Sequence, residues 1–223
     1  MREASLPDDL RIPKEIAAGI DERYAESMRH QRYERGADVV LQYNGEYGVH
    51  PSGTNADEEE SRRAAEDKRR GKPHKPSTNK GEWDPDPGNV GRFQTKIGTV
   101  HSHPYDVDST TGTFSGDDLG ALAGDEKMSF IRSGKDTMMV ARTKEFMEME
   151  ARETKEDEDD SHDQKVDQFR GRMTDSWNAV YNSKELAGQS VRARSEAAMR
   201  ASVKQYHLAY YEGQGQKLKR VKP

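Results

Sequence analysis

The chain has 223 residues, of which 31% are hydrophobic and 35% are charged, with a formal net charge of −5. So little hydrophobic content allows a compact core only if much of the chain stays outside it. The modest net charge argues against a general attraction to nucleic acid, and no apolar run approaches the roughly 20 residues that span a bilayer. We therefore expect a soluble protein with a small core and polar extensions.

The first 50 residues carry the patterns of a helix and a hairpin. Apolar residues recur every four positions between residues 12 and 28, which predicts an amphipathic helix over residues 13–31. Two apolar runs, residues 37–43 and 46–49, flank Asn44-Gly45, a pair typical of tight hairpin turns. We expect this helix to pack on a sheet that contains the hairpin.

Residues 50–91 are predicted to be a polar insertion. They include the mixed-charge run "DEEESRRAAEDKRRGKPHKP" and have almost no apolar content. Such a segment buries too little surface to offset the entropy cost of ordering it. We interpret it as partly disordered, or as helical at its charged centre.

The rest of the chain alternates strands and helices. Residues 92–103 have the pattern of a strand, and "SGDDLGALAG" predicts a short helix with Ser115 as its N-cap. Two strands are expected around Ser133-Gly134, and helices over residues 163–184 and 190–211. We predict an α/β (α+β) fold with a mixed, largely antiparallel sheet flanked by helices. Residues 1–146 would form one domain, and residues 147–223 a charged linker and a helical C-terminal extension.

The strand over residues 92–103 ends in two histidines. His101 and His103 point to the same side because side chains at i and i+2 share a face of a strand. Asp118 lies on the first turn of the next helix and can face the strand end, provided that Asp117 points elsewhere. The chain has no cysteine, so histidines and carboxylates are the ligands on offer. Two imidazoles, one carboxylate and an open fourth position are typical of catalytic zinc, and we predict a Zn²⁺ site at His101, His103 and Asp118.

These residues also carry a family resemblance. "HSHP" followed by "SGDD" resembles the His-x-His-Pro…Ser-x-x-Asp signature of the JAB/MPN (JAMM) zinc metalloprotease family, over roughly residues 30–145. The segment between His103 and Ser115 is a few residues longer than is usual in that family. The order of residues 34–47 is similar to that of bacterial toxin-associated JAB-like domains. The resemblance implies a zinc-dependent peptidase or isopeptidase that acts on a protein or peptide, in the cytoplasm or secreted as a bacterial effector.

The resemblance also implies two catalytic side chains. Glu34 would be the general base, which takes a proton from the attacking water and passes it to the leaving amine. Glu46 is the alternative for this role, and Glu34 would then be a solvated charge. Ser115 would donate a hydrogen bond to the oxyanion, unless it serves only as a helix cap.

Residues 191–223 raise a separate question about partners. They contain eight Lys or Arg and two Glu, with three tyrosines among them: Tyr206, Tyr210 and Tyr211. As a basic helix, this segment is a candidate surface for an acidic partner or for an immunity or adaptor protein. Alternatively, Met199, Val203, Tyr206 and Tyr210 form a packing stripe. A metal-dependent nuclease effector and a non-catalytic MPN-like binding module stay open as other functions, although we expect no nucleic-acid partner and no membrane span.

Overall fold

The computed structural model describes residues 2–29, 34–73, 83–84, 94–103, 112–124, 126–155 and 161–222, with the backbone alone for residues 54–58 and 83–84. The α-helices in these ranges are α1 Lys14–Arg29, α2 Ala56–Arg69, α3 Gly116–Gly120, α4 Lys144–Glu153, α5 His162–Tyr181 and α6 Val191–Gln205. The strands in the same ranges are β1 Asp9–Arg11, β2 Gly36–Gln42, β3 Tyr47–Pro51, β4 Thr54–Asn55, β5 Trp83–Asp84, β6 Gln94–His103, β7 Met128–Ser133, β8 Asp136–Ala141, β9 Ala209–Gln214 and β10 Lys217–Arg220.

Eight of the described strands form one sheet in the order β1-β10-β9-β8-β7-β6-β2-β3, and β4 pairs with β5 separately. The pairs in the large sheet are antiparallel except β6 and β7, which run parallel. Parallel neighbours need a crossover connection, and α3 lies in the one between β6 and β7. The predicted class, a mixed and largely antiparallel sheet flanked by helices, is confirmed.

Helices cover both faces of the sheet. On one face, α1 packs through Ile16 and Ile20 against Val100 and Phe130 of the central strands. The residue after Phe130, Ile131, points to the opposite face because successive strand residues alternate. There it joins a second core that contains buried side chains of α3, α4, α5 and α6: Leu119, Phe146, Phe169, Met173, Trp177, Ala198, Met199 and Val203. Each face of the sheet therefore has its own core.

Both predicted hairpins are present. Between β2 and β3, Gly45 has a φ of 83° and its N–H donates to the carbonyl of Gln42 at 2.9 Å. Between β7 and β8, Gly134 has a φ of 57°. Glycine adopts positive φ without the steric cost that other residues meet. The predicted helix over residues 13–31 is confirmed over Lys14–Arg29 as α1, and residues 30 and 31 lie outside the described residues.

The predicted insertion contains a described helix. The charged centre of residues 50–91 forms α2, in which Glu59 lies 3.3 Å from Arg62 and 2.9 Å from Arg63. Side chains three and four residues apart meet on a helix surface, so these ion pairs support the helix. The remainder of the insertion, residues 74–82 and 85–91, lies outside the described residues.

The C-terminal third differs from the sequence prediction in two places. The predicted helix over residues 190–211 is wrong beyond Gln205, where α6 ends before the left-handed residue His207 (φ 52°) and the chain turns into β9 and β10. At the start of the segment predicted to be a charged linker, α4 occupies Lys144–Glu153 and buries Phe146 and Glu150. Since β9 and β10 lie between β8 and β1, the sheet crosses the predicted boundary between residues 146 and 147.

Candidate metal centre

The two histidines lie at the C-terminal end of β6, beside the first turn of α3. His101 and His103 are both buried, and their Nε2 atoms are 3.1 Å apart. Their rings are tilted by 57° with centroids 4.9 Å apart. The i and i+2 spacing therefore aims two ring nitrogens at one point, as the sequence predicts.

Asp118 meets these histidines from the first turn of α3. Its Oδ1 lies 3.0 Å from Nε2 of His101, and its Oδ2 lies 3.8 Å from Nε2 of His103. A capping box fixes the carboxylate: the Ser115 N–H donates to Asp118 Oδ2 at 2.6 Å, and the Asp118 N–H donates to Ser115 Oγ at 3.2 Å. The same motif that starts the helix thus orients the third predicted ligand.

The three side chains fit a metal ion. One donor atom from each of His101, His103 and Asp118 lies within 4.8 Å of the others. In a tetrahedral zinc site with bonds of about 2.0–2.2 Å, ligand atoms are roughly 3.3–3.6 Å apart. Nε2 of His101 lies close to that range from Nε2 of His103, at 3.1 Å, and from Asp118 Oδ1, at 3.0 Å, and the other carboxylate oxygen, Oδ2, is 3.8 Å from Nε2 of His103. Two imidazoles and one carboxylate also hold iron(II) in other proteins. The donor set therefore fits a transition metal and does not distinguish zinc from iron.

The charges at the centre are strongly coupled. Burial is the largest single influence on the pKa of His101 and lowers it. The charge and hydrogen bond of Asp118, with the charges of Glu34 and Glu126, together outweigh burial and leave that pKa raised. Burial is likewise the largest single influence on the pKa of Asp118 and raises it. The charges of His101 and His103, with the hydrogen bonds from His101 and the Ser115 backbone, together outweigh burial, and the pKa lies well below its usual range. Each of the two groups therefore favours the charged form of the other. A metal ion would replace the proton on the imidazole.

Glu34, the predicted general base, lies at the edge of this centre. Its Oε1 is 3.8 Å from Nε2 of His103, and its side chain is 17% exposed. The next residue ties this segment to β6, since the Arg35 N–H donates to Ser102 Oγ at 3.0 Å and the Ser102 N–H donates to the Arg35 carbonyl at 2.9 Å. The alternative, Glu46, lies in the hairpin turn at the other end of β2, where Asn44 Nδ2 donates to it at 2.9 Å.

A polar network beside the histidines was not predicted from the sequence. Thr99, which shares the strand face of His101, donates to Glu126 Oε2 at 3.0 Å. Lys96 Nζ lies 2.8 Å from Asp38 Oδ1 and 3.6 Å from Glu126 Oε1. Burial raises the pKa of Glu126 despite the nearby Lys96 charge. A cavity of about 630 Å³ borders the network, with Lys96 and Glu126 in its wall.

The sequence offered one signal for this network. Asp38 interrupts the apolar run "ADVVL" at a position that is 3% exposed. A buried charge of this kind needs a partner. The partners lie 58 and 88 residues further along the chain, at positions 96 and 126, so the sequence does not identify them.

The C-terminal aromatic residues face the core. Met199, Val203, Tyr206 and Tyr210 all belong to the core shared with α3 and α5, and Tyr211 is 2% exposed in the core on the other face. Packing of these four residues in the core is therefore confirmed, with Tyr210 on β9 in place of the predicted helix. No helix among the residues with described structure has both the length and the apolar character that crossing a bilayer requires.

Comparisons with known proteins add no identification. A search of protein-family models, of curated proteins and of solved structures finds no match to this chain. The resemblance to the JAB/MPN family therefore stays a prediction that depends on the residues named above. Any functional inference has to be argued from the chemistry of the site itself.

Proposed function

We propose that the chain is a zinc-dependent peptidase or isopeptidase of the JAB/MPN type, with a protein or peptide as its substrate and a bacterial effector as its setting. The convergence of His101, His103 and Asp118, with Glu34 at 3.8 Å from His103, is the observation that supports this proposal. Zinc bound by these three side chains would act as a Lewis acid and lower the pKa of a coordinated water toward about 7.

Glu34 is the proposed general base. Its carboxylate lies near the proposed ligands without belonging to the group of three. In this role it would accept a proton from the attacking water. An amide nitrogen leaves readily only once it is protonated, and Glu34 would deliver the same proton to it. Because the side chain is 17% exposed, the carboxylate keeps part of its contact with solvent in the absence of substrate.

Ser115 is the proposed oxyanion donor. Its Oγ accepts the Asp118 N–H at 3.2 Å. A hydroxyl group has one hydrogen and two acceptor sites, so the capping role leaves its own hydrogen for donation. A donor aimed at a developing oxyanion contributes about 10²–10³ in kcat. Capping and catalysis are therefore compatible functions of this serine.

The nuclease alternative receives less support from the observations. A nuclease would use the same His and Asp ligands together with the basic C-terminal segment, in which three tyrosines are interleaved. Tyr206, Tyr210 and Tyr211 are 5%, 2% and 2% exposed, and stacking on nucleic acid needs exposed rings. The non-catalytic alternative differs from the proposal in activity alone, so experiment decides between them.

The metal is tested by measuring zinc in the purified chain by mass spectrometry. We expect about one zinc per chain, and its loss in the double variant His101→Ala, His103→Ala. Full zinc content in that variant would refute the site. The variant Glu46→Gln, at the other end of β2, is the matched control and should bind zinc as the parent chain does.

The reaction is tested with Glu34→Gln and a library of quenched fluorescent peptides that includes lysine-linked isopeptides. We expect zinc-dependent cleavage by the parent chain and by Glu46→Gln, and none by Glu34→Gln, although that variant keeps its zinc. Loss of zinc from Glu34→Gln would make Glu34 a ligand and overturn its assigned role. Cleavage of added RNA or DNA in place of peptides would favour the nuclease.

A further inference from the structure

The first turn of α3 contains two adjacent aspartates, and they have different partners. Asp118 lies beside His101, with 3.0 Å between Oδ1 and Nε2. Asp117 instead lies beside α5, where Thr174 Oγ1 is 3.1 Å from its Oδ1. Neighbouring residues on a helix are about 100° apart around the axis, so fixing the direction of one aspartate also fixes that of the other.

Thr174 makes a second contact with the start of α3. Its Oγ1 lies 3.2 Å from the carbonyl oxygen of Gly116. The hydroxyl has a single hydrogen, which is shared between this carbonyl and the Asp117 carboxylate. One side chain of α5 therefore holds both the backbone and the first aspartate of the helix that carries Asp118.

The two helices are in close backbone contact at this point. A Cβ atom on Gly116 would lie 3.0 Å from the carbonyl oxygen of Thr174, and one on Gly120 would lie 2.8 Å from Cγ of Arg170. Arg170 Nη2 also donates to the Ala123 carbonyl at 3.3 Å. Positions 170 and 174 lie on one face of α5 because they are four residues apart. This face of α5 therefore contacts both the first and the last residue of α3, Gly116 and Gly120.

We propose that Thr174 is a positioning residue that determines which of the two aspartates reaches the histidines. By holding Asp117 on α5, it turns Asp118 toward His101 and keeps the competing carboxylate away from the metal. Helix α5 then helps to form the metal centre, although it lies outside the stretch that resembles the JAB/MPN family. This inference builds on the proposed function in assuming that the group bound there is a metal ion.

The test compares Thr174→Val, which removes the hydroxyl group at nearly constant shape, with Thr174→Ser, which keeps it. Changes in residues that orient metal ligands typically weaken binding about 10–100-fold. We expect a zinc Kd weakened within that range for Thr174→Val, measured by competition with a chromogenic chelator, and a Kd within about twofold of the parent for Thr174→Ser. The visible spectrum of the Co²⁺-loaded chain should change in the valine variant and stay unchanged in the serine variant.

A double variant separates selection from simple anchoring. Adding Asp117→Ala to Thr174→Val removes the competing carboxylate, so zinc affinity should recover toward that of the parent. No recovery, or a valine variant with unchanged zinc affinity and Co²⁺ spectrum, overturns the proposal.

A measurement without metal distinguishes failure of this inference from failure of the proposed function. Amide hydrogen exchange at Asp118 and Leu119, whose N–H groups are bonded to Ser115, should be faster in Thr174→Val than in the parent or in Thr174→Ser. If the parent binds no zinc but this contrast appears, the proposed function fails and the positioning by Thr174 stands. Equal exchange in all three chains overturns the positioning, whatever the zinc content.

Discussion

A buried ion pair holds the turn that follows α3, and breaking it should cost a large part of the stability of the fold. Arg142 contacts the Glu150 carboxylate and the carbonyl of Gly124 through its two Nη atoms. The Gly124 N–H donates to Glu150 Oε1 at 2.7 Å. The side chains of Arg142 and Glu150 are only 12% and 10% exposed. The pair therefore satisfies both backbone groups of Gly124 inside the protein.

The variant Glu150→Ala leaves the guanidinium of Arg142 buried without its carboxylate. Removing one partner of a buried pair costs about 3–5 kcal/mol, and the Gly124 N–H also loses an acceptor, worth about 1 kcal/mol. Because the two effects share the same carboxylate, we expect a loss of about 4 kcal/mol in the free energy of unfolding. That is a large fraction of the roughly 5–15 kcal/mol that stabilises most proteins.

Urea unfolding followed by circular dichroism measures this loss. Glu148→Ala on the same helix is the control, because Glu148 is 55% exposed and pairs with Lys144 at 3.5 Å; exposed pairs contribute about 0–1 kcal/mol. Removing both charges with Arg142→Met and Glu150→Leu should cost less than the sum of the single changes. A loss below about 1 kcal/mol for Glu150→Ala would refute the view that the two charges depend on each other.

Three further predictions test the sheet, the polar network and the domain boundary. Gly98→Ala should destabilise the fold strongly in thermal unfolding, because its Cβ would lie 2.1 Å from the backbone oxygen of Met128. A Cβ at Gly171 on α5 meets nothing within 4 Å, so Gly171→Ala should stabilise the fold by up to about 1 kcal/mol. Burial raises the pKa of Glu126 above 4.5, so the stability that its protonated form contributes is present below that pH and is lost as the pH rises through the raised value. The variant Glu126→Gln should therefore gain stability relative to the parent between pH 4 and pH 8, and a constant difference would contradict this. The fragment 1–146 lacks two strands of the sheet, so we expect no cooperative unfolding transition; a cooperative one would support the predicted domain boundary.

Local patterns were sufficient for much of the fold. The hairpin at Asn44-Gly45, the strand that ends in His101 and His103 and the helix capped by Ser115 each depend on residues close in sequence. Side-chain direction in a strand and capping at a helix start follow from a few neighbouring residues. The group formed by the two histidines and Asp118 could therefore be predicted from the sequence alone.

The C-terminal strands could not be predicted in the same way. Tyr210 and Tyr211 are both buried because β9 has a core on each of its faces, so the alternation of a half-buried strand is missing. With the spacing of Met199, Val203 and Tyr206 just before them, the two tyrosines extend a helical pattern. Only the pairing of β9 with β8 and β10 distinguishes the two possibilities, and that pairing is not encoded locally.

The side chains proposed to bind a metal ion and the contacts that hold them in place have different origins. The helix that carries Asp118, Gly116–Gly120, has five residues, and isolated helices shorter than about 12–15 residues are marginal in water. Two tertiary contacts stabilise this helix: Leu119 is buried in the core with α5 and α6, and Thr174 contacts the first turn. A short signature accordingly predicts which atoms can meet a metal ion. Affinity for such an ion would depend on how rigidly Asp118 is held. The Ser115 capping box holds it locally, whereas Thr174 adds a contact from the C-terminal third that no pattern around the histidines reveals.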